Sequence, residues 1–311
     1  MSKDSIIVPV YFNELNLPAL MDRLLALSSD NTYEFEYIFI DDGSGDNSYA
    51  ILQEFAAKDN RIKVIKLSRN FGSFVASLAG IRNATGDCLT IISADLQDPP
   101  ELILEMAKEW KSGYKVVLAV RKGRQDSLII ELTSSLFYWV MKKFIMSNMP
   151  SGGFDFFLID KKVAQIVSRC QEKNTSLSGL IVWLGFERKL IYYDRAKRKV
   201  GKSMWTFRKK FKYFIDSITA FSYLPLRWAS ILGVAISFSG FLYIGYVFFL
   251  YFWIKIPPPG WATMMVVILF VSGIQLIILG VVGEYLWRNF DETRKRPVYV
   301  VDEAIGIEDP N

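Results

Sequence analysis

The sequence predicts an α/β domain that leads into amphipathic helices and a pair of membrane-spanning helices. Two observations carry this. Short apolar runs alternate with helical stretches through the first 120 residues or so, and two long, almost uncharged apolar stretches lie between positions 226 and 288. Strand–helix alternation builds a parallel sheet covered on both faces. Each apolar stretch exceeds the roughly 20 residues that cross a bilayer.

In chain order, Ser5–Val10, Glu36–Ile40, Lys63–Leu67, Cys88–Ser93 and Val116–Val120 read as buried strands. Leu15–Leu27, Asn47–Lys58, Phe71–Asn83 and Pro100–Lys111 read as the helices between them. In such a sheet, ligands bind beyond the carboxyl ends of the strands. From 127 to 146 apolar residues recur at helical spacing, with Lys142 and Lys143 late in the segment; a helix on the membrane surface and a core helix both fit. From 204 to 225 Trp205, Phe211 and Phe214 interleave with Arg208, Lys209, Lys210 and Lys212, a mixture suited to the headgroup layer.

The spans read as Trp228–Trp253 and Ala262–Trp287, joined through Pro257-Pro258-Pro259-Gly260. Lys and Arg crowd before the first span and after the second, and Lys255 is the lone charge between them, so the positive-inside rule puts both termini in the cytoplasm. The expected layout is a catalytic domain over 1–203, an amphipathic helix over 204–225, a hairpin over 226–288 and a cytoplasmic tail over 289–311 that is short, acidic and flexible after Pro297. Glu284, inside the second span, fits either a subunit interface or the headgroup level, which leaves a homo-oligomer open.

Composition narrows the chemistry. The chain of 311 residues has a hydrophobic fraction of 51%, too apolar for an ordinary soluble enzyme, yet 22% charged residues, too many for a pure membrane bundle. It contains no histidine, which removes imidazole bases and histidine metal sites. A metal must then sit on oxygen ligands, which favours magnesium or manganese. Cys88 and Cys170 form no spacing motif and read as core residues of a reducing compartment. The net charge of +5 is concentrated beside the apolar runs, so a membrane surface or a phosphate is the natural partner; no base-reading motif points to nucleic acid.

Three loops with carboxylates follow three of the strands: Val8-Pro9-Val10-Tyr11-Phe12-Asn13-Glu14, Asp41-Asp42-Gly43-Ser44-Gly45-Asp46 and Ser93-Ala94-Asp95-Leu96-Gln97-Asp98-Pro99-Pro100. Singly, each is a good turn or helix start. Together at one end of a sheet they suggest a site. Asp95 and Gln97 are expected on one side of an extended segment, where both supply oxygens to a divalent cation. Asp41 and Asp42 suit a base or ribose. Arg121 and Arg124 follow a strand and read either as phosphate ligands or as solvated charges.

These blocks resemble the signatures of family 2 glycosyltransferases, and most closely those of the polyprenyl-phosphate hexosyltransferases related to dolichyl-phosphate mannose synthase. With two C-terminal spans, the chain is most similar to bacterial and cyanobacterial polyprenyl-phosphate glucosyltransferases. The resemblance implies a GT-A fold, a magnesium or manganese ion and an inverting displacement. By position it implies Asp95 and Gln97 as metal ligands, and Pro9, Tyr11, Glu14, Asp41 and Asp42 in the nucleotide loops. Arg121 and Arg124 match residues that hold the acceptor phosphate, and Asp155 resembles an Asp near the sugar, although a structural cap fits it too. The block from Arg198 through Lys202 and Ser203 to Trp205 resembles a segment that closes over the phosphates. Ser93, Phe157 and Ser73 depart from the common pattern.

The expected reaction joins a hexose from a nucleotide-sugar, with UDP-glucose the first choice, to undecaprenyl or another polyprenyl phosphate. A processive polysaccharide synthase is the rival within the enzymes, but Arg227-Trp228 lacks the upstream Gln of those proteins. A lipid-sugar flippase or a scaffold is the non-enzymatic rival. A dinucleotide enzyme lacks its Gly-x-Gly-x-x-Gly after the first strand.

Overall fold

The computed structural model describes residues 1–28, 32–122, 142–143, 148–150, 153–173, 175–196, 207–254 and 260–308. The chain divides into two compact units, Met1–Ser217 with Pro297–Asn311, and Ile218–Arg296.

The first unit is built on an eight-stranded sheet. Its strands are β1 (Ser2–Val10), β2 (Tyr33–Asp41), β3 (Ile62–Leu67), β4 (Cys88–Ile91), β5 (Val116–Arg121), β6 (Phe156–Asp160), β7 (Arg188–Tyr193) and β8 (Val301–Ile305), in the spatial order β7-β5-β6-β4-β1-β2-β3-β8. Helices α1 (Leu17–Leu27), α2 (Ser48–Lys58), α3 (Ser73–Asn83) and α4 (Leu102–Lys111) fall between the early strands, followed by α5 (Lys161–Ser168) and α6 (Leu177–Trp183).

Sequence periodicity explains the packing. In α1, Leu17, Leu20, Met21, Leu24 and Leu27 form one buried stripe, and a proline opens the helix where its missing N–H costs nothing. The middle of β1, from Asp4 to Val8, is buried throughout, because helices cover both faces of a parallel sheet. Tyr37, Phe39 and Phe156 are among the largest fully buried side chains.

Two expectations are corrected. The sheet is mixed: β6 runs antiparallel to both β4 and β5, and β8 runs antiparallel to β3. Secondly, the acidic tail is not free. Its residues 301–305 add an edge strand to β3, with Ile65 opposite Ala304 and Lys66 opposite Glu303. Val298 and Tyr299 are buried just before it, and Lys66 Nζ pairs with Asp302 at 2.8 Å and Glu303 at 3.1 Å. The acidity that suggested a solvated tail instead complements a lysine on the neighbouring strand, and the added strand covers an otherwise open edge.

Helix α7 (Phe207–Phe221) leads into the second unit, where α8 (Leu224–Phe249) continues as a π-helical turn over Leu250–Ile254 and α9 covers Trp261–Thr293. Two stretches of 30 residues, Leu224–Trp253 and Met264–Thr293, are long and apolar enough to cross a membrane. No residue of α8 is buried, so its apolar surface is exposed. Within this unit the Tyr285 hydroxyl donates to the Ser222 carbonyl at 2.7 Å, and Arg288 pairs with Glu284 at 2.8 Å, one helical turn away.

Candidate active site

The loops after β1, β2 and β4 lie together at the carboxyl end of the sheet, and each bends through a left-handed residue. These are Phe12 at φ 54°, Gly43 at φ 68° and Leu96 at φ 57°. Two of the three carry a side chain, a conformation that costs about 1 kcal/mol or more and gathers where loops serve function.

Hydrogen bonds stitch the first two loops together. Phe12 N–H donates to Ser44 Oγ at 3.1 Å, Asn13 N–H to Ser48 Oγ at 3.0 Å, and Asn47 N–H to the Glu14 carboxylate at 2.9 Å. Pro9 lies opposite Ile40 on β2, and the Tyr11 ring meets Phe12 edge-on at 4.7 Å. Gly43 has a second constraint: a Cβ there would meet the backbone of Arg69 at 2.6 Å.

The two adjacent aspartates part company. Asp42 accepts from Phe71 N–H at 2.7 Å and Gly72 N–H at 2.9 Å, so both oxygens hold the β3–α3 loop. Burial, reinforced by the neighbouring Asp41 charge, pushes the Asp42 carboxyl up to about 6. Asp41 accepts from Ser44 N–H at 3.2 Å through Oδ2, while its Oδ1 is buried with no partner. Burial raises the Asp41 carboxyl too.

The third loop is a turn, not the expected extended segment. Leu96 reverses the chain, and Gln97 N–H donates to Asp95 Oδ1 at 3.1 Å. The segment after β7 docks on it: Ala196 N–H donates to the Gln97 carbonyl at 3.0 Å, and Gln97 Nε2 donates to the Ala196 carbonyl at 3.2 Å. Gln97 Oε1 still has acceptor capacity for a cation.

Asp98 is the hub beneath. It is fully buried, accepts from the Tyr193 hydroxyl, and lies 3.3 Å from Arg195 Nε. Its second oxygen has no hydrogen-bond partner. Burial raises the Asp98 carboxyl, against the pull of Arg195 and Tyr193. Arg195 Nη2 also lies 3.6 Å from Asp95.

Arg121, nine-tenths buried, pairs through Nη2 with Asp155 at 2.7 Å, and its Nε has no partner. Burial opposes its charge, but Asp155 and Asp98 outweigh burial and hold the guanidinium further above its ordinary value. Arg121 also opens onto a cleft of about 520 Å³, lined by Lys122, Lys142, Met149, Arg188, Leu190 and Tyr192, among others. Arg188, Leu190 and Tyr192 alternate along β7 and so share one face of it.

Residues 5–165 match the model of glycosyl transferase family 2, and residues 224–288 match the GtrB C-terminal hairpin. The chain belongs to glycosyl transferase family 2. Its relatives include the glycosyltransferase YkcC of Bacillus subtilis, 41% identical over 98% of this chain and 94% of that one. The bactoprenol glucosyl transferase of Shigella phage SfII is 32% identical over 97% of this chain and 98% of that one. The glycosyltransferase sll0501 of Synechocystis is 37% identical over 98% and 96%.

For this glycosyltransferase the structure brings together Pro9, Tyr11, Glu14, Asp41 and Asp42 in one pair of loops, and Asp95, Gln97, Arg121 and Asp155 around another. Phe214 lies half-buried on α7, and Phe211 is on the same helix with its side chain outside the description. Arg124, Arg198, Lys202, Ser203, Trp205 and nearly all of 127–146 lie outside the described residues. Tyr193 and Arg195 were not singled out from sequence. The apolar run Leu190–Tyr193 was a usable strand signal, and it would have placed Arg195 in a loop at the sheet's carboxyl end.

Proposed function

We propose that the protein transfers glucose from UDP-glucose to a polyprenyl phosphate, with inversion, at the cytoplasmic face of the membrane. One observation carries the structural side of this reading: a single buried guanidinium, Arg121, belongs both to the carboxylate cluster around Asp98 and Asp155 and to the cationic cleft. A donor diphosphate held at the first and an acceptor phosphate entering by the second then meet beside it. Similarity to a bactoprenol glucosyl transferase over nearly the whole chain, hairpin included, supports the lipid acceptor and the sugar.

The residues fit a hard divalent cation. Asp95 supplies a carboxylate, Gln97 a spare amide oxygen, and the unpartnered Asp98 oxygen marks a buried spot that favours positive charge. Among the described residues no three acidic or thiol groups form a cage, so a cation held here would need further oxygen ligands from the diphosphate. Magnesium or manganese bound there supplies charge neutralisation for the departing diphosphate.

The chain's own work is positioning. Asp41, through its unpartnered Oδ1, takes a donor from the base or ribose, while Asp42 fixes the loop that walls that side. Arg121 and Lys122 orient the acceptor phosphate, and Asp155 holds Arg121 in place beside the sugar. An acceptor oxygen forms the new bond to the anomeric carbon as the bond to the diphosphate breaks. The phosphate is already an anion, so no general base is required, in keeping with a chain without histidine. Arg124 belongs with the acceptor phosphate, and Arg198, Lys202 and Ser203 with the diphosphate. Trp205, Phe211 and Phe214 belong with the lipid.

The assay is purified full-length protein in detergent, with undecaprenyl phosphate, magnesium or manganese, and a panel of UDP-glucose, UDP-galactose and GDP-mannose. The expected product is one glucose per lipid, formed only with a divalent ion. Polymer, or no new glycolipid from any donor, defeats the reading.

A further inference from the structure

We propose that Arg195 makes cation binding at Asp95 conditional on the donor's diphosphate. This rests on the reading of the Asp95 loop as the diphosphate–cation site. The geometry leads there directly. Arg195 Nη2 lies 3.6 Å from Asp95 Oδ2 and Nε 3.3 Å from Asp98 Oδ1, so one guanidinium spans both carboxylates. Its place is fixed by the next residue, since Ala196 and Gln97 exchange two hydrogen bonds of 3.0 and 3.2 Å. Asp95 is 7% exposed and Asp98 1%, so the guanidinium's field at these oxygens is poorly screened by water.

A divalent ion arriving alone at Asp95 therefore meets a like charge already paired with that carboxylate. It must displace Arg195 from Asp95 or bind beside it, and either weakens the ion. A diphosphate arriving with the ion changes the balance. Its oxygens ligate the ion and offer the freed guanidinium the bidentate anion geometry that arginine prefers. Asp98 keeps its bond from Tyr193 throughout. Arg195 is thus a positioning residue: it holds the carboxylate in the empty site and turns to the leaving group in the loaded one. Linkage requires the reverse as well, that the ion strengthens nucleotide binding by the same factor.

The test measures Mn2+ binding to full-length protein in detergent from the free-ion paramagnetic resonance signal, with and without the nucleoside diphosphate of the donor that supports transfer. Wild type is expected to bind Mn2+ weakly alone and much more tightly with the nucleotide. In Arg195→Gln, Mn2+ alone should bind about tenfold more tightly, as expected for removing an adjacent like charge, and the tightening by nucleotide should shrink by a similar factor. Arg195→Lys should keep the wild-type pattern. If Arg195→Gln does not fold, Arg195→Met, which keeps the apolar stem without the charge, should show the same tighter binding of Mn2+ alone and the same smaller tightening. A folded variant lacking the guanidinium, with wild-type Mn2+ affinity and wild-type tightening, overturns the proposal. Wild-type protein that binds no Mn2+ even with nucleotide overturns the underlying site reading, and this proposal with it.

Discussion

Asp4 and Asp95 are both buried carboxylates on or beside the central strand pair β1–β4, yet they stand at opposite ends of it. Asp4 lies opposite Cys88, where β4 begins, and Asp95 follows where β4 has ended. Asp95 has a guanidinium beside it, and the role proposed for it needs its charge, so Asp95→Asn should cut transfer by about 10²-fold or more while the melting midpoint stays close to wild type. Asp4 accepts from the Thr90 hydroxyl at 2.9 Å and also from the Thr90 backbone and the Cys88 thiol, and burial pushes its carboxyl up to about 7 against these hydrogen bonds. The folded protein therefore holds a proton there that the unfolded chain, with an ordinary carboxyl, releases near pH 4. Stability contributed by this group rises as pH falls from about 7 toward 4, and ionised Asp4 costs stability above that window. Asp4→Asn removes the cost and keeps an acceptor for Thr90. Its melting midpoint in detergent should exceed wild type at pH 8, and the gap should shrink steadily as pH falls below 7 and close only near pH 4. A constant gap across that range would mean that Asp4 does not titrate there.

At the scale of elements, β8 shows what holds the chain's end to the sheet. Its ion pairs to Lys66 are largely exposed, and such pairs contribute little. The buried anchor is Tyr299, whose ring faces Arg82 and whose hydroxyl has no hydrogen-bond partner. Tyr299→Ala should destabilise by about 3 kcal/mol, whereas Tyr299→Phe should match or exceed wild type, because it deletes an unsatisfied polar atom; chemical denaturation in detergent measures both. The strand was illegible in sequence for a physical reason. Val-Asp-Glu-Ala-Ile carries adjacent acids that gain their place from Lys66 and Tyr49, more than 230 positions earlier. The elements β1–β5 and α1–α4 were legible because their periodicity is local. Antiparallel β6 was hidden because Phe156–Asp160 reads first as part of a sugar-site motif. The candidate site divides in the same way. Its three carboxylate loops follow apolar strands and announce themselves, while the Asp98–Tyr193–Arg195 cluster joins residues 95 or more positions apart, and no spacing rule reaches that far.

For the molecule as a whole, connectivity constrains topology. Strands β1 to β7 precede the two apolar helices and β8 follows them, yet all belong to one sheet. A strand cannot pair with β3 from across a bilayer, so the chain must return to the side it left, and two crossings satisfy that. By the positive-inside rule, the Arg and Lys clusters before α8 and late in α9 predict that this side is the cytoplasm, as the proposed function requires, and that Gly260 lies outside. The prediction uses single cysteines in a Cys170→Ser background, with native Cys88 buried. Gly260→Cys should react with a membrane-impermeant maleimide in intact cells, and Glu308→Cys only after permeabilisation. Labelling of both from outside would invert the catalytic domain, away from cytoplasmic nucleotide-sugars, and labelling of Glu308→Cys alone would invert the hairpin. Protection of Gly260→Cys in intact cells, with both sites reactive after lysis, would mean that the helices do not cross at all.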